Sequence, residues 1–139
     1  MASRLQQYFI LITLLSVFST SPTFAEENSG RLDGMSFVGK NGEKGRELDP
    51  DEGEEIIFKN GLFRSVSCDP YNFGSSEYST TVVENSIRFE AVTESPTHGK
   101  IAWQGAVVGD TAEVTFVWVK ERWYWDTRKE YWFRGVLKE

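Results

Sequence analysis

Hydrophobic and polar residues alternate with a period of two along most of the chain beyond residue 30, which is the pattern of half-buried β-strands. The alternation is clearest in the segment 86–94, SIRFEAVTE, where Ile87, Phe89 and Ala91 share one face. No segment after the first 25 residues carries the 3.6-residue period of an amphipathic helix. The pattern therefore predicts a protein built almost entirely from strands.

Turn-forming residues divide this pattern into eight segments. Asn60-Gly61 is the strongest turn signal, because both residues tolerate the positive φ of a tight hairpin turn. The segment 40–55 is rich in Gly and charged residues and is predicted to be a long, exposed, acidic loop. The predicted strands are residues 32–39, 54–59, 62–68, 77–83, 86–94, 100–107, 112–118 and 131–137.

The connections between these segments suit antiparallel neighbours, so the sequence predicts an all-β fold, a single-domain, eight-stranded, antiparallel up-and-down barrel. Pairing of the last strand with the first removes both sheet edges. Large rings alternate inward in the later strands, which predicts a mostly filled interior with at best a pocket at one end. The predicted inward residues are Ile87, Phe89, Ile101, Trp103, Val107, Val114, Phe116, Trp118, Phe133 and Leu137.

Residues 1–25 have the three parts of a cleavable secretory signal peptide. Arg4 is the only charged residue, an apolar run of about ten residues follows it, and small residues lead to Ala25. The apolar run is shorter than the roughly 20 residues that a membrane-spanning helix needs. We therefore expect cleavage near Ala25, a periplasmic or secreted protein without membrane insertion, and one domain at 26–139 that begins with a frayed stretch at 26–31.

Charge and cysteine content narrow the possible partners. Loss of Arg4 with the signal leaves 14 of the 15 basic residues against 21 acidic ones, a net charge of −7. This balance disfavours nucleic acid and anionic membranes, since both reward clusters of Lys and Arg. Cys68 is the only cysteine and cannot form an internal disulfide. It is interpreted as a small buried residue, with an intermolecular bridge or a reactive thiol as alternatives.

Several short motifs resemble those of small exported bacterial proteins of lipocalin-like (calycin) architecture. They are Leu32-Asp33-Gly34-x-x-Phe37, Ser67-Cys68-Asp69-x-Tyr71-x-Phe73-Gly74, Trp103-x-Gly105 and Tyr131-Trp132-Phe133-x-Gly135. The resemblance covers nearly all of the mature chain and implies a lipocalin-like barrel, and streptavidin-like barrels are a second resemblance at the level of the fold. The Gly-x-Trp that lipocalins carry near the first strand is replaced by Gly34-Met35-Ser36-Phe37.

No group of residues has the spacing of a catalytic or metal site. His98, the only histidine, lies in a Pro/Gly loop and is interpreted as solvated. Asp69 is expected to raise the pKa of the neighbouring Cys68 thiol and make it less reactive. An acidic cluster departs from the EF-hand spacing and is interpreted as a solvated loop, with weak Ca²⁺ binding as the alternative. Its members are Glu47, Asp49, Asp51, Glu52, Glu54 and Glu55. The sequence thus predicts no enzyme activity and no cofactor.

The only candidate recognition surface is an aromatic and basic stretch near the C-terminus. Alternation gives inward places to Trp118, Tyr131 and Phe133 but not to the other rings. Exposed aromatics beside Arg are typical of interface hot spots and of stacking on flat ligands or sugars. The alternative is that these rings plug the open end of the barrel. The predicted ligand-binding residues are Trp118, Trp123, Tyr124, Trp125, Arg128 and Trp132.

These observations favour an exported, non-enzymatic module, monomeric or weakly associating, that binds a small apolar or flat ligand at the aromatic end of the barrel. The alternative is a protein-interaction or enzyme-inhibitor module with a filled barrel. The interior distinguishes the two hypotheses. A ligand binder needs a cavity of about 300 Å³ or more, whereas an inhibitor has a closed interior and a protruding loop.

Overall fold

The computed structural model describes residues 30–49 and 52–139. The predicted signal peptide at 1–25, and most of the predicted frayed stretch at 26–31, lie outside the described residues.

Eight antiparallel strands form one closed barrel in which each strand pairs with its neighbours in sequence. The last strand pairs with the first from Phe37 opposite Leu137 to Glu43 opposite Tyr131. The predicted eight-stranded up-and-down barrel is confirmed. The strands are β1 (Ser36–Glu43), β2 (Gly53–Lys59), β3 (Leu62–Ser65), β4 (Ser75–Val83), β5 (Ser86–Ser95), β6 (Gly99–Val108), β7 (Thr111–Lys120) and β8 (Thr127–Leu137), with one turn of 3₁₀-helix at Asp69–Tyr71.

Some strand boundaries differ from those predicted. Residues 30–34 form turns rather than the start of the first strand, and β1 runs from Ser36 to Glu43. β1 continues to Glu43 and β2 begins at Gly53. The connection between the two strands therefore covers residues 44–52 rather than the predicted 40–55. Residues 40–43 are polar but remain in the strand because they pair with β8. The β2–β3 hairpin turns at Asn60-Gly61, as predicted, with φ values of 54° and 75°.

Aromatic rings fill the barrel along its length. Phe58 contacts the rings of Phe37, Phe63, Tyr78 and Phe89 at centroid distances of 4.9–6.4 Å. Farther along, the ring of Trp103 stacks on that of Phe116 at 4.2 Å, and Phe116 stacks on Tyr131 at 5.1 Å. Of the ten predicted inward residues, seven are buried, while Ile87, Trp118 and Leu137 are partly buried against the core. The interior is thus filled by side chains, as predicted.

Glycines at two inward positions make room for these rings. A Cβ at Gly105 would lie 2.4 Å from the ring of Phe89, and one at Gly135 would lie 2.4 Å from the ring of Phe133. The ring of Phe133 thus explains the glycine two residues later in Phe133-x-Gly135, whereas Gly105 makes room for Phe89 on the neighbouring strand.

The two ends of the barrel differ. The lower end carries the short turns β2–β3, β4–β5 and β6–β7, and residues 30–35 cross beneath it. Leu32 of this segment is fully buried, and the backbone N–H of Gly34 donates to the carbonyl of Phe58 at 2.8 Å. The upper end carries the longer connections β1–β2, β3–β4, β5–β6 and β7–β8. The predicted aromatic surface therefore lies at the upper end.

Candidate functional site

The β7–β8 connection, residues 121–126, is called the aromatic loop. Its ends are held by Arg122, whose backbone N–H donates to Oδ1 of Asp126 at 3.4 Å and whose guanidinium donates to Oγ1 of Thr127. The next pair on each side, Lys120 opposite Thr127, belongs to the barrel wall. The aromatic loop is therefore a short connection whose two ends are fixed to the barrel wall.

Three consecutive rings form a cluster at the tip of the aromatic loop. The ring of Tyr124 lies 5.1 Å from Trp123 and 4.3 Å from Trp125, edge to face in both cases. The three side chains are 96%, 50% and 65% exposed for Trp123, Tyr124 and Trp125. Buried plugs would be almost inaccessible, so the alternative in which these rings close the end of the barrel is wrong for all three.

The other predicted site residues pack against other parts of the barrel. Trp118 packs against the core, and its indole N–H donates to the backbone carbonyl of His98 at 2.6 Å. Arg128 is on the outer wall, where it donates to Glu130 at 2.9 Å. Trp132 also faces outward, with the guanidinium carbon of Arg134 at 5.8 Å from its ring centroid. The structure thus brings the rings of Trp123, Tyr124 and Trp125 into contact. The contacts of Trp118, Arg128 and Trp132 are with other parts of the barrel.

A buried carboxylate lies below the upper end. Glu54 is 5% exposed and accepts hydrogen bonds from Oγ of Ser65 at 2.9 Å, from the backbone N–H and Oγ of Ser67, from the backbone N–H of Glu55 and from Nδ2 of Asn41. These donors satisfy the charge that burial would otherwise penalise. The sequence placed Glu54 in an acidic surface cluster. Its alternation with Ile56 and Phe58 is the signal that would have placed it inside.

Cys68 is partly buried beside this network and packs against the core. Burial raises the pKa of the thiol, the nearby Ser65 and Ser67 hydroxyls lower it, and Glu54 and Asp69 raise it further. The direction of the pKa shift is as predicted from Asp69, but burial is the principal cause. Asp69 itself binds the guanidinium of Arg64. A thiol in this setting is a poor nucleophile.

His98 lies in the β5–β6 connection and is partly exposed. Its imidazole lies 5.3 Å from the ring of Tyr71 and shares a 2.7 Å hydrogen bond between Nδ1 and Oγ1 of Thr97. The β5–β6 connection is fixed further by Oγ of Ser95, which donates to the carbonyl of Tyr71 at 2.7 Å. These contacts join the 3₁₀-helix to the neighbouring connection.

Two neighbouring acidic residues at the start of β2 point to opposite sides of the barrel wall. Glu54 points inward, whereas Glu55 binds Lys138 on the outside at 3.0 Å. Within residues 30–49 and 52–139, no three His, Cys, Asp or Glu side chains form a group that could hold a metal ion. In the same part of the chain, no helix has the length and apolarity needed to span a membrane.

Comparison of the chain with protein-family models, curated protein sequences and solved structures gives no significant match.

Proposed function

We propose that the protein is a non-enzymatic protein-interaction module that engages its partner through the aromatic loop. The observation that carries this proposal is the exposure of Trp123, Tyr124 and Trp125 above a barrel that its own side chains fill. Trp and Tyr supply large contact areas at low entropic cost and are enriched among residues that dominate binding free energies. An exposed ring cluster of this kind marks a surface that another molecule covers.

The filled interior supports a protein partner over the small apolar or flat ligand that the sequence favoured. Stacked rings of Trp103, Phe116 and Tyr131 occupy the space where a lipocalin-like barrel would hold its ligand. The exposed rings lie on a loop outside this space. A ligand taken up by the aromatic loop alone would be only partly enclosed, whereas small-molecule sites cover most of their ligand's surface.

Charges around the aromatic loop are of both signs. Glu121 and Asp126 are exposed on the loop, and Lys120 and Arg128 lie at its base. Mixed charges around an aromatic centre resemble the polar rim of a protein interface. The two carboxylates would oppose an anionic lipid surface.

The raised pKa of the Cys68 thiol supports a role in which this residue performs no covalent catalysis. We also propose that the protein is an exported, lipocalin-like monomer. The signal-peptide pattern of residues 1–25 and the closed barrel support this assignment.

Site-specific photo-crosslinking tests the proposal. A benzophenone amino acid replaces Trp123 in one variant and Val136, which is 55% exposed on the far part of β8, in the control. In cells that express the protein natively, we expect a discrete protein adduct from position 123 only. Excess wild-type protein should compete for the partner and abolish the adduct. The same excess of a variant with Ser at positions 123, 124 and 125 should leave the adduct unchanged.

Two outcomes contradict the proposal. One is equal adduct formation from both positions, which would indicate random encounters. The other is the absence of any adduct from position 123 together with a saturable change in Trp fluorescence on addition of free indole or a fatty acid. That result would favour the small-ligand hypothesis instead.

A further inference from the structure

An open groove crosses the outer wall of the barrel, away from the aromatic loop. It has two adjoining sections of about 910 Å³ and about 440 Å³, which share Glu90, Gln104 and Thr115 among their lining residues. The larger section begins at Leu62 on β3, and the smaller one ends at Trp132 on β8. Five strand spacings of about 4.8 Å give an arc of about 24 Å around the wall of the closed barrel. A groove of this length suits an extended chain molecule better than a compact one.

Small side chains form the floor of the groove. Ala102 and Ala106 face outward from β6, and Thr115 lies on β7 beside Gln104. Larger side chains stand around them, with Trp132 directly across from Thr115 on β8. The concavity is therefore a consequence of side-chain size on a wall whose backbone is continuous.

Trp132 is held so that it can serve as a stacking platform. One edge of its indole lies on Gly42, where an added Cβ would be 3.0 Å from Cζ2. The guanidinium of Arg134 is 5.8 Å from the ring centroid. Trp132 is also one of the residues that line the groove. An aromatic ring fixed in this way can receive the C–H face of a planar or chair-shaped ring without losing rotamer entropy.

The polar groups beside Trp132 balance one another in charge. Arg88 and Arg134 are positive, Glu90 and Glu113 are negative, and Gln104 donates to Glu90 at 3.3 Å. Arg134 lies 4.0 Å from Glu113, and both side chains are about three-quarters exposed at 75% and 77%. Planar donors and acceptors with no net charge suit a ligand whose hydroxyls both donate and accept. Polyanions and polycations would each meet two like charges.

We propose that this outer groove is a binding site for a neutral oligosaccharide, which stacks a sugar ring on Trp132 and hydrogen-bonds to Gln104, Arg88 and Glu90. A peptide in extended conformation is the competing occupant. Peptides that bind to sheets usually add a strand at an unpaired edge. Strands β5, β6 and β7 are paired on both sides, so the groove offers a peptide no free backbone ladder.

NMR titration of the ¹⁵N-labelled protein tests the inference with cellohexaose, maltohexaose and chitohexaose as neutral probes. We expect saturable shift changes with at least one probe in the amides of β5–β7 and in the Trp132 indole N–H. Affinity should fall by about tenfold or more in Trp132→Ala and less in Trp132→Phe, which keeps a ring. Ser at positions 123, 124 and 125 should leave affinity unchanged. If Trp132→Ala does not fold, Gly42→Ala displaces the indole instead and should also weaken binding.

Three results overturn the inference. They are no saturable change with any of the three sugars, shift changes confined to the aromatic loop, or a response only to a neutral extended peptide used in parallel. The loop variant separates this site from the proposed protein-interaction surface, because each substitution set affects one surface and serves as the control for the other.

Discussion

The hydroxyl of Tyr78 donates a 2.7 Å hydrogen bond to Oδ1 of Asp33 and fastens the segment 30–35 across the lower end of the barrel. The same hydroxyl accepts a hydrogen bond from the backbone N–H of Leu32, which is fully buried. The Asp33 carboxylate also accepts from the backbone N–H of Gly61 in the β2–β3 turn. One phenol therefore connects the start of the described chain to the barrel wall.

Replacement of Tyr78 by Phe should destabilise the protein. The ring is kept, but the buried N–H of Leu32 loses its acceptor and Asp33 loses a donor, which costs about 1–3 kcal/mol. Urea denaturation measures the change, and Tyr124→Phe at the exposed loop is the matched control, expected within about 0.5 kcal/mol of wild type. Equal stability of the two variants would show that the phenol bonds contribute nothing.

Tyr78 should also make stability fall at alkaline pH. Burial, and then the Asp33 carboxylate, raise the pKa of Tyr78. The unfolded chain loses this proton near pH 10, whereas the folded chain retains it to higher pH. Since the unfolded state then binds fewer protons, unfolding becomes more favourable as pH rises. The stabilisation that the Tyr78 hydroxyl provides is fully present below about pH 10. It is lost as the pH rises toward the pKa of Tyr78 in the folded protein.

Melting temperatures measured from neutral to strongly alkaline pH check this prediction. Tyr78→Phe should show a shallower decline than wild type. Some decline should remain, because burial raises the pKa of Tyr131 as well. Parallel curves for the two proteins would exclude Tyr78 as the source of the alkaline slope.

Gly105→Ala should destabilise the core. The new methyl group would meet the ring of Phe89 at 2.4 Å and Val114 at 2.8 Å, so both side chains must shift. Overpacking of this kind costs about 1–3 kcal/mol. Gly53→Ala is the matched control, since its nearest neighbour would be 4.0 Å away. Thermal melts should separate the two variants clearly, and a fully tolerated Gly105→Ala would mean that Phe89 has room to move.

Cys68 should react slowly with thiol reagents in the folded protein. Its pKa is raised chiefly by burial, so little thiolate is present near neutral pH. We expect the reaction with a disulfide reagent to be at least about tenfold slower before than after denaturation in urea. A variant that combines Cys68→Ser with Val136→Cys supplies an exposed reference thiol. Equal rates for Cys68 and the reference would indicate an accessible, activated thiol.

Alternation along the chain was sufficient to predict the barrel and much of its core. Phe89, Trp103 and Phe116 are buried at positions that a two-residue period assigns inward. The Asn60-Gly61 turn followed from the positive φ that both residues accept. These features depend on local rules, in which the strand period and turn chemistry act over a few residues.

Features that depend on distant contacts were not predictable in the same way. Glu54 can be buried because Ser65 at the end of β3, and Ser67 just beyond it, donate hydrogen bonds to its carboxylate. The indole of Trp132 packs against Gly42, and the two residues are neighbours because β8 pairs with β1 to close the barrel. The sequence also left two alternatives for the aromatic loop, since alternation assigns no face to residues outside a strand. The exposure of Trp123 depends on the path of the loop, which no period describes.

The aromatic loop should contribute to binding and not to stability. Ser at positions 123, 124 and 125 removes three rings that are exposed, so the free energy of unfolding should change by less than about 0.5 kcal/mol. Trp118→Ala, by contrast, removes a ring packed on the core and should cost at least about 2 kcal/mol. Urea denaturation of the two variants measures this difference. If the loop variant were as unstable as Trp118→Ala, the three rings would be part of what stabilises the barrel. Their exposure would then no longer indicate a binding surface.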